Sequence, residues 1–150
     1  MKTLALNRDA KFNYEILETF EAGLVLTGQE VKSIKTGHIS LKGSYVVIRG
    51  EEAYLLNATI PPYQSKNTPT SYEPARSRKL LLHKREIRSL IGKSKTKGLT
   101  LAALRVYTKK GKIKLEFGVG KGRRRIDKRE LIRKREDNRK IERAIKGKID

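Results

Sequence analysis

Apolar and polar residues alternate through the first part of the chain with the period of β-strands. Residues 12–16 show this alternation and are predicted to form a half-buried strand, after a loose basic lead-in over residues 1–11. The Glu-Ala-Gly at 21–23 is predicted to form a turn, and a strand is expected to resume at 24–26. The chain therefore begins as a β-structure.

The pattern then predicts a short helix followed by a β-hairpin. Thr27 is placed to cap the helix, Glu30 follows three residues later as in a capping box, and Gly37 ends it. Residues 44–49 are rich in β-branched and aromatic residues, and residues 53–60 return as a second strand after a short Gly-Glu-Glu turn. The two strands should pair with each other.

The second half of the chain predicts a loop, a helix and a second hairpin. Residues 63–78 are polar and contain two prolines, so we expect a long, mobile loop. Residues 79–82 are expected to be extended or to lead into the helix that apolar spacing predicts over 83–92. Residues 99–107 and 113–119 are predicted as paired strands around a glycine turn.

These elements predict a mainly β protein with short helices, of the α+β class. About six strands and two helices with short antiparallel connections favour a closed antiparallel oligonucleotide-binding-type barrel, because closure removes sheet edges. We expect residues 1–120 to form this domain. Residues 121–150 hold fourteen Lys/Arg and six Asp/Glu, with no aromatic residue. They have too little to bury and are expected to be a tail that is disordered until it meets a polyanion.

Charge and composition narrow the function. The 150 residues carry 36 Lys+Arg against 16 Asp+Glu, a formal net charge of +20, which favours a nucleic acid as the partner. Cysteine is absent, no window is apolar enough to span a membrane, and the start lacks the apolar core of a signal peptide. We therefore expect a soluble cytoplasmic protein. A basic helix lying on a membrane surface is a weaker alternative, since the tail lacks a continuous apolar face.

Candidate chemistry for catalysis is sparse. The two histidines, His38 and His83, are far apart and have no metal-ligand spacing, and the carboxylates are scattered among Lys and Arg. The glycines at 118–122 precede an arginine cluster, which fits a flexible hinge better than a phosphate loop. The sequence predicts a protein that is not an enzyme and that uses no metal or cofactor.

Five segments, taken in order, resemble one family. They are Tyr14–Leu26, the Gly28-Gln29-Glu30-Val31-Lys32-Ser33 run, the basic and leucine-rich run from Arg76 to Lys84, Lys97–Leu101, and Asp127-Lys128-Arg129-Glu130. Together they cover nearly the whole chain, and they resemble the SsrA-binding protein family, also called small protein B.

The resemblance implies a specific function. The family has an oligonucleotide-binding barrel and a basic tail, binds transfer-messenger RNA, and helps deliver it to stalled ribosomes in trans-translation. That process rescues the ribosome and tags the incomplete protein for degradation. The tail would fold as a helix in the empty mRNA channel, next to the small-subunit decoding centre and ribosomal RNA. We expect a monomer. Ile126 stands where the family often has an aromatic residue or histidine, so base stacking there is in question.

The resemblance also implies site residues. The expected RNA-binding residues of the body are Asn7, Arg8, Glu30, Lys32, Ser33, Lys35, Arg76, Arg78, Lys79 and Lys84. Those expected to bind the ribosome are Lys121, Arg123, Arg124, Arg125, Ile126, Asp127, Lys128, Arg129, Arg133, Arg135, Arg139 and Arg143.

Each group of site residues has a structural alternative. Glu30 either accepts hydrogen bonds from base or ribose donors of RNA or only caps its helix. Asn7 and Arg8 could belong to a disordered lead-in. The basic residues between Arg76 and Lys84 could form a surface that is only solvated. At the level of the whole protein, a structural ribosomal RNA-binding protein is the alternative function, because composition fits it equally. A nuclease is disfavoured.

Overall fold

The structure is a computed structural model that describes residues 1–64, 66 and 68–149; the side chains of Arg125 and residues 146–149 lie outside the description. The strands are β1 (Lys2–Leu6), β2 (Tyr14–Leu24), β3 (Tyr45–Arg49), β4 (Glu52–Leu56), β5 (Arg78–Leu81), β6 (Leu99–Lys109) and β7 (Lys112–Gly122). The helices are α1 (Arg8–Asn13), α2 (Gly28–Lys35), α3 (Lys84–Lys95) and α4 (Arg125–Ile149). The expectation of a mainly β protein with short helices is confirmed.

The strands form one sheet that closes on itself through an additional strand pairing. The order is β1-β6-β3-β4-β5-β2-β7, and β7 also pairs with β6, so six strands form a ring with β1 attached to β6. The long strands β2 and β7 pair along their length, from Tyr14 opposite Gly122 to Gly23 opposite Lys114. The seam between β2 and β5 is much shorter and joins only Gly23 with Leu81 and Leu24 with Leu80. An oligonucleotide-binding-type barrel remains a prediction for this ring.

The core lies inside the ring and under helices α2 and α3. Ile34 of α2 and Leu90 of α3 are fully buried, because each helix presents an apolar face to the sheet. Leu115 and Phe117 of β7 meet them from the sheet side, within one contiguous apolar cluster. Burial of these side chains provides the main driving force for folding of residues 1–122.

The first residues are ordered, contrary to the expected loose lead-in. Strand β1 pairs with β6, and the Asn7 side-chain amide donates hydrogen bonds to the carbonyls of Leu41 (3.0 Å) and Ala103 (2.8 Å). Ala10 of α1 is buried against β6. The strand expected over residues 12–16 begins only at Tyr14. These contacts are made with residues far along the chain, so local periodicity did not reveal them.

The turn expected at 21–23 is wrong, because β2 runs through it without interruption. Ala22 is buried, and Gly23 lies opposite Leu81 in the short seam. A Cβ added to Gly23 would stand 3.3 Å from the Leu81 Cβ. The glycine therefore permits close approach of two strands, a use of glycine that sequence cannot distinguish from a turn.

The helix predicted after Thr27, the helix predicted over 83–92 and both predicted hairpins are confirmed. Thr27 and Glu30 form the capping box of α2, and Gly37 has a φ of 84° in the left-handed region where glycine is favoured. Strands β3 and β4 pair directly, as do β6 and β7. Helix α3 begins after His83, whose backbone N–H donates to the Glu86 carboxylate.

The glycines of β7 serve packing, which corrects the expected flexible hinge at 118–122. Gly118 and Gly120 are buried within the strand. A Cβ on Gly118 would come 2.7 Å from the Ile16 side chain, and one on Gly120 would come 2.8 Å from the Tyr14 Cβ. The two glycines therefore leave room on β7 for the side chains of Ile16 and Tyr14, which pack across it from β2. Gly122, the third glycine of this part of β7, has open space beside it.

In the structure, residues Arg125–Ile149 form helix α4. Strand β7 ends at Gly122, two residues past the predicted boundary at residue 120, and the division into body and tail remains a prediction. Asp127 accepts a hydrogen bond from the Arg124 backbone N–H at the start of the helix, which satisfies an otherwise unpaired donor. The segment is rich in Glu, Lys, Arg and Leu, which favour helix. Loss of this helix in free solution remains a prediction.

Candidate nucleic-acid interface

A buried ionic cluster joins helix α2 to strand β5. The Glu30 side chain is fully buried, and one carboxylate oxygen accepts hydrogen bonds from the Thr27 N–H (2.9 Å) and from Arg76. The other oxygen accepts from Arg78 Nε at 2.9 Å and lies 2.8 Å from Arg78 Nη2. Glu30 therefore caps its own helix and binds two arginines from a distant part of the chain.

Arg78 is the centre of this cluster. It is fully buried, and besides Glu30 its guanidinium donates hydrogen bonds to three backbone carbonyls. These acceptors are Ala58 (2.7 Å), Arg76 (2.8 Å) and Pro74 (2.8 Å). The planar fork of arginine thus bridges α2, the end of the first hairpin and the loop before β5, a geometry that lysine cannot reproduce.

Glu30 is held in its charged form. Burial acts to raise the pKa of the carboxyl group, but hydrogen bonds from Arg76, the Thr27 N–H and Arg78 outweigh it and hold the pKa below its usual value. Both oxygens are therefore used within the protein. The sequence predicts that Glu30 and Arg78 contact RNA through their side chains, but neither side chain reaches the surface in this structure.

The loop expected to be mobile is attached to the body at several points. Ser33 Oγ donates to the Pro61 carbonyl at 2.7 Å, and Tyr72 donates its hydroxyl to the Ile60 carbonyl at 2.7 Å. The Ile60 N–H in turn donates to the Pro74 carbonyl at 2.9 Å. Ser33 and Asn7, both predicted to contact RNA, are buried and make internal hydrogen bonds in the structure.

Other predicted RNA-binding residues are accessible but do not form one group. Lys32 and Lys35 are exposed on α2, and the Lys32 ammonium lies 6.0 Å from the centre of the Tyr63 ring. Lys79 forms a surface ion pair with Glu52 at 3.1 Å. Arg8 and Lys84 are exposed on other elements, and Arg76 is half-exposed beside Glu30.

A cleft beside the β2–β5 seam was missed by the sequence reasoning. It has a volume of about 340 Å³, and we call it the Leu81 cleft. Its apolar lining comes from Leu24, Leu26, Val31, Leu81 and Ile113, and its cations are Lys35, Lys112 and Lys114. Leu81 is 56% exposed, although Leu80 beside it in β5 is buried. Strand alternation after the buried Leu80 was the available signal for it.

The Leu81 cleft combines the two features that unpaired RNA uses. Its apolar surface can pack against the face of a base, and three lysines at its edge can neutralise phosphates. Among the described residues, no carboxylate lines it. A second cleft of about 510 Å³ shares Gly23, Leu81 and Lys114 with it and adds Glu21, Glu52 and Glu86. Hydrogen bonding from Tyr107 lowers the pKa of Glu21 despite the opposing effect of desolvation, so Glu21 is an anionic acceptor there.

The base of the tail contacts helix α1. The ring of Phe12 lies 5.8 Å from the Lys128 ammonium and 5.6 Å from the Arg135 guanidinium, two helical turns apart on α4. The Arg123 N–H donates to the Asn13 carbonyl at 2.9 Å, and its Nε donates to the Lys11 carbonyl at 3.3 Å. The first turns of α4 thus rest on the body without entering its core.

Most of the predicted ribosome-binding residues of the tail are exposed. Arg123 and Lys128 are half-buried, and the side chain of Arg125 lies outside the described residues. The exposed ones are Lys121, Arg124, Ile126, Asp127, Arg129, Arg133, Arg135, Arg139 and Arg143. Ile126 is 67% exposed, which leaves it free to pack on another surface. The predicted tail residues from Arg125 to Arg143 lie on helix α4, whereas Lys121 lies in β7 and Arg123 and Arg124 lie between the two elements.

Two absences apply to the part of the chain that the structure describes. No group of three His, Asp or Glu side chains is arranged to hold a metal ion. Among the same residues, no helix has the length and apolar character needed to cross a membrane.

Comparison with known proteins gives a consistent result. Residues 4–147 match the sequence profile of a family described as SmpB protein. An SsrA-binding protein of Trichodesmium erythraeum (strain IMS101) is 51% identical over 145 residues, covering 97% of this chain and 93% of the relative. An SsrA-binding protein of Thermosynechococcus vestitus is 49% identical, covering 97% of this chain and 96% of the relative.

A solved structure is similar in fold and sequence. A chain from the structure described as "tmRNA-SmpB: a journey to the center of the bacterial ribosome" superposes with a TM-score of 0.68 and is 44% identical. The match covers 86% of this chain and 94% of that chain.

Proposed function

The chain belongs to the SmpB, or SsrA-binding protein, family, and from this premise we propose that it binds transfer-messenger RNA and delivers it to stalled ribosomes. The delivery starts trans-translation, which rescues the ribosome and tags the incomplete protein. Support comes from relatives named SsrA-binding protein and from a similar chain in a tmRNA-SmpB structure of the bacterial ribosome. The proposed site of action is the cytoplasm, and no step of this function requires catalysis.

The Leu81 cleft is the observation that carries the RNA-binding part of the proposal. An exposed leucine on a strand exposes apolar surface to water, and a partner that covers it recovers the cost of that exposure. Lys35 of α2 and Lys112 and Lys114 of β7 line the cleft with this leucine, while carboxylates line the neighbouring larger cleft. An unpaired base with its phosphates fits both features. A uniform duplex, whose bases are stacked inside, does not.

The buried cluster supports the proposed site from beneath. Val31 and Lys35 of the Leu81 cleft lie on α2, and Leu81 lies on β5; Glu30 and Arg78 join these same two elements. We therefore propose Glu30 and Arg78 as positioning residues, which set the distance across the cleft without contacting RNA. Arg76, half-exposed, is the member of the cluster that can reach a phosphate.

The tail has a separate role in the proposal. Helix α4 begins three residues after β7 ends and carries exposed cations on successive turns. A channel lined by ribosomal RNA would attract such a helix through its phosphates. We propose that the tail enters the empty mRNA channel and so detects a ribosome without message. We also propose that the ring of strands is the oligonucleotide-binding-type barrel expected from sequence.

Recovery of the bound RNA from cells tests the proposed function. The full-length chain is purified under gentle salt from bacteria that express it, and the copurifying RNA is sequenced. The proposal predicts strong enrichment of transfer-messenger RNA over ribosomal RNA. Copurification of ribosomal subunits without that RNA would instead support a structural ribosomal protein.

A further inference from the structure

A small pocket with unused polar groups lies at the other end of the ring from the Leu81 cleft. It has a volume of about 130 Å³, the liquid volume of roughly four waters, and we call it the tyrosine pocket. Tyr14 of β2 and Tyr45 of β3 line it, and Ala10 and Ala102 contribute apolar surface. The space suits one planar ring system and is too small for a whole nucleotide.

Several polar side chains of this pocket have no partner among the described residues, whereas Asn7 and Ser44 of its lining form internal hydrogen bonds. In the part of the chain that the structure describes, Asp9, Asn13 and Thr100 make no side-chain hydrogen bond or ion pair, and neither tyrosine hydroxyl does. Such polar groups converging on a concave surface with aromatic walls are characteristic of ligand sites. The pocket is therefore equipped to bind a ligand that offers both a flat face and hydrogen-bond donors.

The position of Tyr14 is fixed by its neighbours. Tyr14 lies opposite Gly122 in the β2–β7 pairing, and its ring carbons come within about 3 Å of where a Cβ of Gly120 would stand. The absence of a side chain at Gly120 thus allows the tyrosine to lie against β7. This wall of the pocket is preformed, which lowers the cost of ordering it when a ligand binds.

A cationic cleft adjoins the tyrosine pocket. It has a volume of about 310 Å³ and shares Asn7 and Asp9 with the pocket. Arg8 and Lys42 also line it, and neither forms an ion pair with a carboxylate of the described residues. Two cations beside a ring-sized pocket match the layout of a nucleotide, whose phosphates lie next to its base. Asp9, by contrast, would repel a phosphate. Its carboxylate is suited to accept hydrogen bonds from the N–H donors of a base.

We propose that the tyrosine pocket binds one unpaired guanine of RNA, with Arg8 and Lys42 on the adjoining phosphates. Guanine presents N1–H and N2–H donors side by side, which one carboxylate can accept together; adenine and cytosine each offer a single amino group. This inference rests on the proposed RNA-binding function and adds a second contact. Nine residues of β2 separate it from the Leu81 cleft, roughly 30 Å along the strand. It lies at the end of the ring where the tail begins.

Nuclear magnetic resonance with short RNAs tests the proposal on the full-length protein. The probes are the single-stranded pentamers UUGUU, UUAUU, UUCUU and UUUUU, added at fixed salt. We expect UUGUU to shift the amide signals of Tyr14, Tyr45 and Thr100 and to bind there about tenfold more tightly than UUAUU, the discrimination typical of one bidentate base contact. Asp9→Asn should remove this preference, whereas Asp137→Asn, the same change on the exposed tail helix, should leave it intact.

A second variant separates the base contact from the phosphate contact. Arg8→Gln with Lys42→Gln should weaken all four pentamers by similar factors and keep the preference for guanine. Equal affinity for the four pentamers, or shifts confined to other surfaces, would overturn the proposal. Binding of transfer-messenger RNA by the same sample, measured in parallel, tests the proposed function independently. If the tyrosine pocket does not prefer guanine but transfer-messenger RNA still binds, only this inference is overturned. If transfer-messenger RNA does not bind, the proposed function is overturned.

Discussion

Arg78 and Glu30 form an ion pair in the interior, with the arginine Nη2 2.8 Å from the glutamate Oε2 and both side chains fully removed from solvent. Two charges in this environment are costly to leave apart, because the interior solvates a single charge poorly. The pair is completed by hydrogen bonds from Arg78 to three carbonyls, and no buried side-chain polar atom in the described residues lacks a partner. The cluster therefore fixes how α2 lies against β5.

Replacement of Glu30 tests this role through stability. Glu30→Gln keeps the side-chain shape but leaves Arg78 without its counter-charge, so we expect the free energy of unfolding to fall by about 3 kcal/mol. Urea denaturation measures it. Glu116→Gln, which breaks the half-exposed pair with Arg105 at 3.2 Å, is the matched control and should cost less than about 1 kcal/mol. Equal small losses in both variants would contradict a structural role for Glu30.

The same pair predicts how stability depends on pH. The pKa of folded Glu30 lies below its ordinary value of 4.5, so the carboxylate's contribution is complete above pH 4.5. It is lost as the pH falls from there through the folded-state pKa. Acid titration of stability should therefore be steeper in the original chain than in Glu30→Gln. Parallel curves for the two proteins would show that Glu30 does not titrate with a lowered pKa.

Leu81 is expected to matter for RNA affinity and little for stability. Its side chain is half-exposed, and covering the remainder with a base would contribute about 1 kcal/mol, or roughly fivefold in affinity. Leu81→Ala should therefore weaken transfer-messenger RNA binding about fivefold in a filter-binding assay. Leu17→Ala, at a residue 55% exposed on β2, is the control and should bind normally. Similar losses in both variants would remove the Leu81 cleft as the RNA site.

The lysines of the Leu81 cleft should make RNA binding more sensitive to salt concentration. Each lysine that neutralises a phosphate adds about 0.9 to the negative slope of log affinity against log salt, because a counterion is released. Lys112→Gln should reduce the slope by nearly 1. Lys97→Gln, an exposed cation near the start of β6, should leave the slope unchanged. A slope unaffected by Lys112→Gln would mean that this lysine contacts no phosphate.

Two glycines of β7 distinguish packing from flexibility. Gly120→Ala should destabilise the protein by about 1 to 3 kcal/mol, because the added methyl group meets Tyr14. Gly122→Ala has open space and should be nearly neutral. Thermal unfolding of the two variants measures the difference. If Gly122→Ala proved the more harmful change, flexibility at the end of the strand would be the better explanation.

Local signals in the sequence predicted those features that depend on neighbours in the chain. The three-residue spacing of Thr27 and Glu30 identified the capping box, and strand alternation identified the hairpins. The second use of Glu30 depends on Arg78, 48 residues away, and a single sequence carries no signal for that pairing. The predicted RNA-binding set therefore includes side chains that are engaged with one another inside the protein.

Two glycines and a leucine show the same limit of sequence-based prediction, which does not reveal the neighbours of a residue on other strands. Gly23 and Gly120 were interpreted through backbone freedom, whereas each makes room for a side chain on another strand. The sequence left residues 79–82 either extended or leading into a helix, and it did not show that alternation in β5 buries Leu80 and exposes Leu81. Which face of a strand is buried becomes known only when its partners are known.

The division of labour between body and tail is the central claim, and one deletion tests it most directly. A chain ending at Gly122, the last residue of β7, should bind transfer-messenger RNA within about twofold of the full-length protein, because the Leu81 cleft is intact. In a reconstituted translation reaction with stalled ribosomes, the same chain should fail to support tagging. Loss of RNA binding in parallel with tagging, or full tagging without the tail, would contradict the account.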